Sequence, residues 1–311
     1  LNMKRLIILV VLLAALAAGC TSKANINQAS NADLKILEKN LQDAFAKTGQ
    51  DIKVQVSELK NLKDTLPGFS FAEIKIYNKD NLVNTERVIT NGQYFAKDII
   101  DSNTLSSLKD ELEFEFAKVE TIDTTNLTLA GGNKNSKNVI VEITDFQCPY
   151  CKKANSLFKS ELKDKSDYAL YMVHLPLDMH PNAPIMAQVF EAGMQMGFNF
   201  KNDLFESDYI KIIEAKLAEL QKSGVQMNQE TVTKIVNDVN NQIISDFAAK
   251  TDNPDKFKEL VNSDEIKAKI EGTKKLAEKL NIDATPAFYI NGKAISGYNE
   301  GLILKALNNI K

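Results

Sequence analysis

Cys148-Pro149-Tyr150-Cys151 stands between two stretches of different periodicity. Before it, Val139-Ile140-Val141-Glu142-Ile143 is apolar and β-branched, the composition of a strand. After it, Ala154, Leu157, Phe158 and Leu162 recur at helical spacing. The cysteine pair therefore falls where a strand turns into a helix, with Cys148 at or just before the helix start. Pro149 suits the first helical position, where its missing N–H would have no partner anyway. Free amides and the positive end of the helix dipole then face the Cys148 sulfur and favour thiolate, the nucleophilic form. Cys151 follows one helical turn later. It is near enough to close a disulfide with Cys148 and is expected to be too buried to compete as the attacker.

Two other uses of a Cys-x-x-Cys pair fit less well. Zinc takes two such pairs, or one pair with two histidines at fixed spacing. The remaining cysteine is Cys20, far upstream, and His174 and His180 lack a finger-type spacing. A purely structural disulfide across a four-residue loop would crosslink almost nothing. Redox exchange is what remains, and it needs neither metal nor cofactor, because the electrons reside on the two sulfurs.

Over its 311 residues the chain is 44% hydrophobic and 25% charged, with a net charge of -3. That suits one or two globular domains and offers no basic excess for nucleic acid. Residues 1–20 differ from the rest. Lys4 and Arg5 precede an apolar run from Leu6 to Ala18, too short to span a membrane and matching a secretory signal. The run closes on Leu16-Ala17-Ala18-Gly19-Cys20, which resembles a bacterial lipobox except for Ala17, where leucine is commonest. The resemblance implies lipid on Cys20 and a location in the periplasm or cell envelope, held to a membrane, where disulfides persist. Residues 21–30 are small and polar and read as a tether.

Residues 31–120 read as a small α+β domain. Leu34, Leu37, Leu41 and Phe45 form a helical stripe ended by Gly49. Ile52, Val54 and Val56 alternate as in a strand. A second run, Phe69 to Ile76, changes phase near Ala72, as at a bulge. A third run, Leu82 to Thr90, reaches a hairpin turn at Asn91-Gly92. Leu105 to Val119 reads as a connecting helix, with Asp98 and Asp101 as solvated or capping residues. Gly131 to Ser136 reads as a turn or linker.

Residues 121–311 read as a second domain. Strand 139–144 leads into the cysteine helix, and Tyr168 to His174 is a second strand. Residues from about 184 to 280 read almost wholly as helix. Pro286 to Ile290, the Asn291-Gly292 turn and Lys293 to Tyr298 then form a hairpin, closed by a last helix from Gly301. The expected fold class is α/β with a large helical insertion, preceded by the small α+β domain.

Three stretches resemble DsbA-like thioredoxin-fold proteins: Glu142 to Lys153 around the cysteines, His180-Pro181-Asn182-Ala183, and Ile282 to Lys293 with its Thr285-Pro286. That resemblance implies a thioredoxin-like fold and a thiol–disulfide oxidoreductase. Cys148 would attack and Cys151 resolve, with Pro149 and Tyr150 shaping the site. It further implies that Pro286 is cis, with Thr285 facing the Cys148 sulfur and the backbone beside Pro286 pairing with substrate. Glu142, six residues before Cys148, takes the place of a buried acid beneath Cys151. Its carboxylate would have a raised pKa from desolvation and would accept the Cys151 proton; the alternative is a simple pairing with a lysine. Residues 31–120 with their connecting helix also resemble the dimerisation domain of DsbC and DsbG, which implies a homodimer. The implied partners are unfolded or cysteine-containing envelope proteins and a membrane or periplasmic redox partner, with oxidase and isomerase or reductase directions both open. A redox-silent chaperone or assembly factor is the competing function.

Overall fold

The computed structural model describes residues 31–49, 51–102, 106–224, 228–308 and 310. The signal-like segment, the tether and Cys20 lie outside the described residues. The chain divides into two compact units, residues 1–115 and 116–311.

In the first unit, helix α1 (Asn31–Ala46) lies over strands β1 (Ile52–Asn61), β2 (Ser70–Asn78) and β3 (Asn81–Thr90). Leu34, Leu37, Leu41 and Phe45 form one core with Ile52, Val54, Ile74, Ile76 and Val88. With β4 (Phe95–Ala96) the strands make an antiparallel sheet in the order β1-β2-β3-β4. The phase change near Ala72 has its cause on the neighbouring strand. The register slips between Glu58 and Lys60 of β1, opposite Ala72 and Phe71, so the bulge belongs to β1 and not to β2. Phe71 and Ala72 are both buried there.

The connecting helix is shorter than its periodicity predicts. Helix α2 covers only Leu108–Glu115, and of its side chains Leu112 is buried. Its start is fixed by Asp98, whose carboxylate accepts from the Lys109 amide and the Ser107 hydroxyl, and by Ser107, whose Oγ accepts from the Asp110 amide. Past Glu115 the backbone turns to other partners: the Glu120 amide donates to the Gly292 carbonyl of the second unit. That bond explains why the division falls after Glu115 and not after residue 120.

The second unit is built on a five-stranded sheet in the order β5-β7-β6-β8-β9. Strand β6 (Val139–Thr144) is central, parallel to β7 (Ala169–His174) and antiparallel to β8 (Ala287–Ile290). The outer strands are β5 (Thr128–Gly132) and β9 (Lys293–Ser296). Strand β5 corrects the expectation of a linker at Gly131-Gly132, since both glycines pair with β7. Gly132 has φ +77°, and a side chain there would run into the Tyr168 carbonyl, so a sequence that looks like a loop is a strand edge needing close approach. The turn itself is confined to residues 133–136, where the Ser136 amide bonds the Asn133 carbonyl. Asn291 and Gly292 both have positive φ, as a two-residue hairpin turn requires.

Strand alternation gives the sheet two inner faces. Val141, Ile143, Val173, Leu175, Ala287 and Tyr289 pack with Ala277 of α9 (Asp264–Lys279). The other face carries Ile140, Glu142, Thr144, Met172, His174 and Phe288, and α3 (Pro149–Glu161) meets it, with Phe158 edge-on to Phe288 at 5.3 Å. Between β7 and α9 the helical segment comprises α4 (Ala183–Gln195), α5 (Lys201–Glu206), α6 (Tyr209–Lys222), α7 (Gln229–Ala248) and α8 (Pro254–Val261). Helix α10 (Glu300–Leu307) ends the unit. No helix among the described residues is long and apolar enough to cross a membrane.

Candidate active site

The cysteine pair sits at the junction of β6 and α3. Cys148 is the N-cap of α3, with extended backbone, no side-chain cap, and Pro149 at the first helical position. Its side chain therefore lies among the amides that open the helix. Cys148 is 4% exposed and Cys151 wholly buried, and both are free thiols. Tyr150, 55% exposed, stands out beside them with the Lys153 ammonium 5.3 Å from its ring centre.

The two sulfurs have opposite proton affinities. The Cys151 thiol donates to Cys148. This outweighs burial and, with the Thr285 side chain and the Cys151 and Tyr150 amides, brings the Cys148 thiol down to about 5. Burial pushes the Cys151 thiol up, and the neighbouring Cys148 sulfur pushes it further. The thiolate thus forms on Cys148 near neutral pH, while Cys151 keeps its proton.

The Thr285–Pro286 bond is cis. The Thr285 carbonyl lies 3.5 Å from the Cys148 sulfur, and the Thr285 side chain helps lower the same thiol. Thr285-Pro286 and Cys148 are thus brought together across 137 residues of chain.

Glu142 is fully buried on the sheet face that α3 meets, and Lys201 of α5 approaches it with Nζ 3.0 Å from Oε2. The lysine also donates to the Asn155 side chain at 2.7 Å and lies over the Phe158 and Phe205 rings. The lysine pairing is therefore present. Nothing in the sequence marks Lys201 as the partner, because it lies in the helical segment, remote from both Glu142 and the cysteines.

The turn before Cys148 is clamped more firmly than helix capping requires. Asp145, 2% exposed, accepts from the Gln147 amide at 2.7 Å and from the Leu177 amide at 2.8 Å, and its Oδ2 lies 2.7 Å from His180 Nδ1. Gln147 and Asn182 are joined twice, through the Asn182 amide and through their side-chain amides. The His180-Pro181-Asn182 loop is thus a brace for the cysteine turn. Neither Asp145 nor Gln147 caps α3 by its side chain. Asp145→Ala should strand three donors in a dry site and cost about 3 kcal/mol, a buried charged hydrogen bond being worth this much when one partner is deleted. Urea unfolding of the variant measures the loss; a midpoint within error of the unchanged chain would refute the brace.

A second buried polar group was missed in the sequence. His174 Nε2 lies 2.7 Å from Glu191 of α4, which also takes bonds from Thr128 and Lys269. Among the described residues, no group of three His, Cys, Asp or Glu side chains is placed to hold a metal ion.

The family model described as Thioredoxin matches residues 124–305. Among curated relatives, disulfide bond formation protein D of Bacillus subtilis is 24% identical over 178 residues, 54% of this chain and 69% of that protein. A Na(+)/H(+) antiporter NhaA 3 of Salinispora tropica is 36% identical over 67 residues, 21% of this chain; the match spans only 10% of the antiporter's length. Among solved structures, that of Wolbachia pipientis alpha-DsbA1 is similar with a TM-score of 0.45 and 20% identity, covering 64% of this chain and 95% of that one.

Proposed function

This chain belongs to the thioredoxin family, and from that premise we propose that it is a DsbA-like thiol–disulfide oxidoreductase that exchanges disulfides with cysteine-containing proteins outside the cytoplasm, in the oxidising direction. The supporting observation is the Cys148 sulfur at the start of α3, held as a thiolate by the Cys151 thiol and by the Tyr150 and Cys151 amides, with Thr285 against it.

In the oxidised form, a substrate thiolate attacks the Cys148 sulfur of the Cys148–Cys151 disulfide. Cys151 leaves with the bonding electrons and a proton, and a mixed disulfide stands on Cys148. A second substrate thiolate displaces Cys148, the better leaving group because its thiolate is stabilised. The substrate is oxidised by two electrons, and the pair returns to the dithiol seen here. A membrane or envelope redox partner then restores the disulfide. Read backwards, the same steps reduce or isomerise, and the stabilised Cys148 thiolate favours oxidation. No metal or organic cofactor enters the cycle.

The test is dithiothreitol-driven reduction of insulin. The unchanged chain should accelerate it, and Cys148→Ser should remove the acceleration, at least 100-fold. Equal acceleration by that variant would place the activity elsewhere and leave a redox-silent binding protein as the better reading.

Location follows from the lipobox-like segment and is part of the same proposal. Lipid on Cys20 would tether the enzyme to an envelope membrane. Cys20→Ser expressed in a bacterium should move the protein from the membrane to the soluble fraction; retention in the membrane fraction would contradict lipid anchoring.

A further inference from the structure

The helix that opens on Cys148 carries its charges unevenly. Lys152, Lys153 and Lys159 of α3 are exposed, whereas its one carboxylate, Glu161, is half-buried in the last turn. These cations are not equally engaged. Lys159 is paired with Glu206 of α5 at 2.8 Å. Asp208, the N-cap of α6, is bonded by the Lys211 ammonium, which with a smaller pull from Lys152 holds its carboxyl below the usual range. Lys153 has no carboxylate within ion-pair distance among the described residues. Its ammonium instead lies 5.3 Å from the centre of the Tyr150 ring, which is itself 55% exposed.

Helix geometry brings the first two of these cations to the reacting sulfur. The Lys152 amide donates to the Cys148 carbonyl at 3.1 Å, so Lys152 follows Cys148 by one turn on the same side. Lys153 follows Tyr150 by three residues, the spacing at which two side chains of a helix meet. Helical side chains lean toward the N-terminus, so both ammonium groups are carried back toward the Cys148 end. The contact with the tyrosine ring holds that of Lys153 there. The two loops that meet the cysteine turn carry the opposite sign. Asp283 is exposed two residues before Thr285, and Asp178 is exposed in the loop whose Leu177 and His180 are bonded to Asp145. A chain of net charge -3 thus sets a positive helix start beside its reacting sulfur, with acidic loops on the other elements around it.

We propose that Lys153, seated by Tyr150 and backed by Lys152, selects substrate segments that carry an acidic residue next to the reacting cysteine. The proposal rests on the assignment of Cys148 as the attacking thiol and names the substrates on which that thiol acts fastest. A segment whose sulfur meets Cys148 has one neighbouring side chain on the helix side of the site. An Asp or Glu there meets an ammonium that has no carboxylate of its own to satisfy, whereas a Lys or Arg is repelled. Such a charge acts chiefly on encounter, raising the rate at which the right segment arrives in register. Because the ammonium is exposed, salt screens it, and the preference belongs to low ionic strength. Lys159, already neutralised by Glu206, adds little. The bond changes are those of the exchange itself: the Cys148 thiolate attacks the substrate sulfur, and the bonding electrons leave on the sulfur displaced.

Short peptides with blocked ends, each holding one cysteine as its 2-pyridyl disulfide, provide the test. In the reduced full chain carrying Cys20→Ser, the Cys148 thiolate attacks the peptide sulfur, and the neutral thiopyridone released reports the rate. The peptides carry Asp, Ala or Lys immediately before or immediately after the cysteine. At one of these two positions the Asp peptide should react about fivefold faster than the Lys peptide at low salt, attraction replacing repulsion at a surface site. The ratio should shrink toward one in about 1 M salt, where the Debye length is about 3 Å. Lys153→Glu should invert the order at that position, and Lys153→Arg should keep it. The ratio cancels any change in the reactivity of Cys148 itself, which is common to all the peptides, so a merely structural effect of the substitution would not move it. Equal rates, or faster reaction of the Lys peptide, at both positions overturn the proposal. So does an acidic preference that survives Lys153→Glu, which would place the selection on other groups. Absence of release from every peptide by the unchanged chain would remove the attacking thiol itself, and the proposal would fall with the function on which it stands.

Discussion

Cys151→Ala is expected to accumulate mixed disulfides at least tenfold above the unchanged chain when expressed among envelope proteins. Removing the resolving sulfur leaves Cys148 with its helix-start amides and Thr285, so its thiolate still forms and attacks. The Cys151 thiol donor is lost, which weakens but does not abolish thiolate stabilisation, because the backbone amides remain. With no second sulfur in reach, each adduct persists until an external thiol releases it. The converse variant, Cys148→Ala, keeps a sulfur that is wholly buried and whose thiol is pushed up by that burial. It should trap almost nothing. Non-reducing gels of the two variants, each with Cys20→Ser to remove a third thiol, measure the ratio, and reductant should erase the bands. Equal trapping by both variants would contradict the division into attacker and resolver.

The place of the cysteine pair at a strand–helix junction was legible in the sequence because it depends on local signals. An apolar β-branched run, a Cys-Pro start and a helical stripe are contiguous, and the structure places Cys148 at the N-cap with Pro149 behind it. The hairpin at Asn291-Gly292 was equally plain, since few residues tolerate two successive positive φ values. What escaped depends on partners far apart in the chain. Strand β5 looks like a linker because its glycines answer to Tyr168 across the sheet and not to their own neighbours. The bulge lies opposite the residues whose phase it changes. Periodicity carries the connecting helix past Glu115, whereas the Gly292 carbonyl recruits the backbone at Glu120. The polar groups beneath the cysteines escaped for the same reason. Lys201 and Glu191 are single charged residues within helices, and only the fold reveals that they are buried against Glu142 and His174. His180 lies in the loop after β7. Its contact with Asp145 makes the loop a brace, which spacing could not show.

The last expected result concerns pH. Reduced and oxidised chain should differ in melting temperature by an amount that grows as pH rises from 5 to 8.5. In the reduced native chain the Cys148 thiol titrates at about 5, whereas in the unfolded chain it should titrate near 8.5. A thiol whose native pKa is depressed adds stability that is complete above the unfolded value and is lost as pH falls through the native one. At pH 7 the native thiol is ionised and the unfolded one is not. The two pH units above the native value correspond to roughly 3 kcal/mol. For a unit of this size that is a shift of roughly 6–12 °C. Below pH 5 both forms are protonated and the contribution vanishes. Above 8.5 the sign changes, because the Cys151 proton, held by burial in the native chain, would be lost on unfolding. The advantage of the reduced form should therefore peak near pH 8.5. The oxidised chain has no thiol at either position, so it lacks this slope, while the depressed Glu191 carboxyl is common to both forms and cancels in the difference. Any constant contribution from closing the four-residue loop also drops out of the slope, and such a short loop contributes little. Calorimetry of both redox forms at pH 5, 7 and 8.5 gives the three points. A difference that stays flat across them would mean that the Cys148 thiolate is not stabilised by the fold, and the oxidising direction would lose its physical basis.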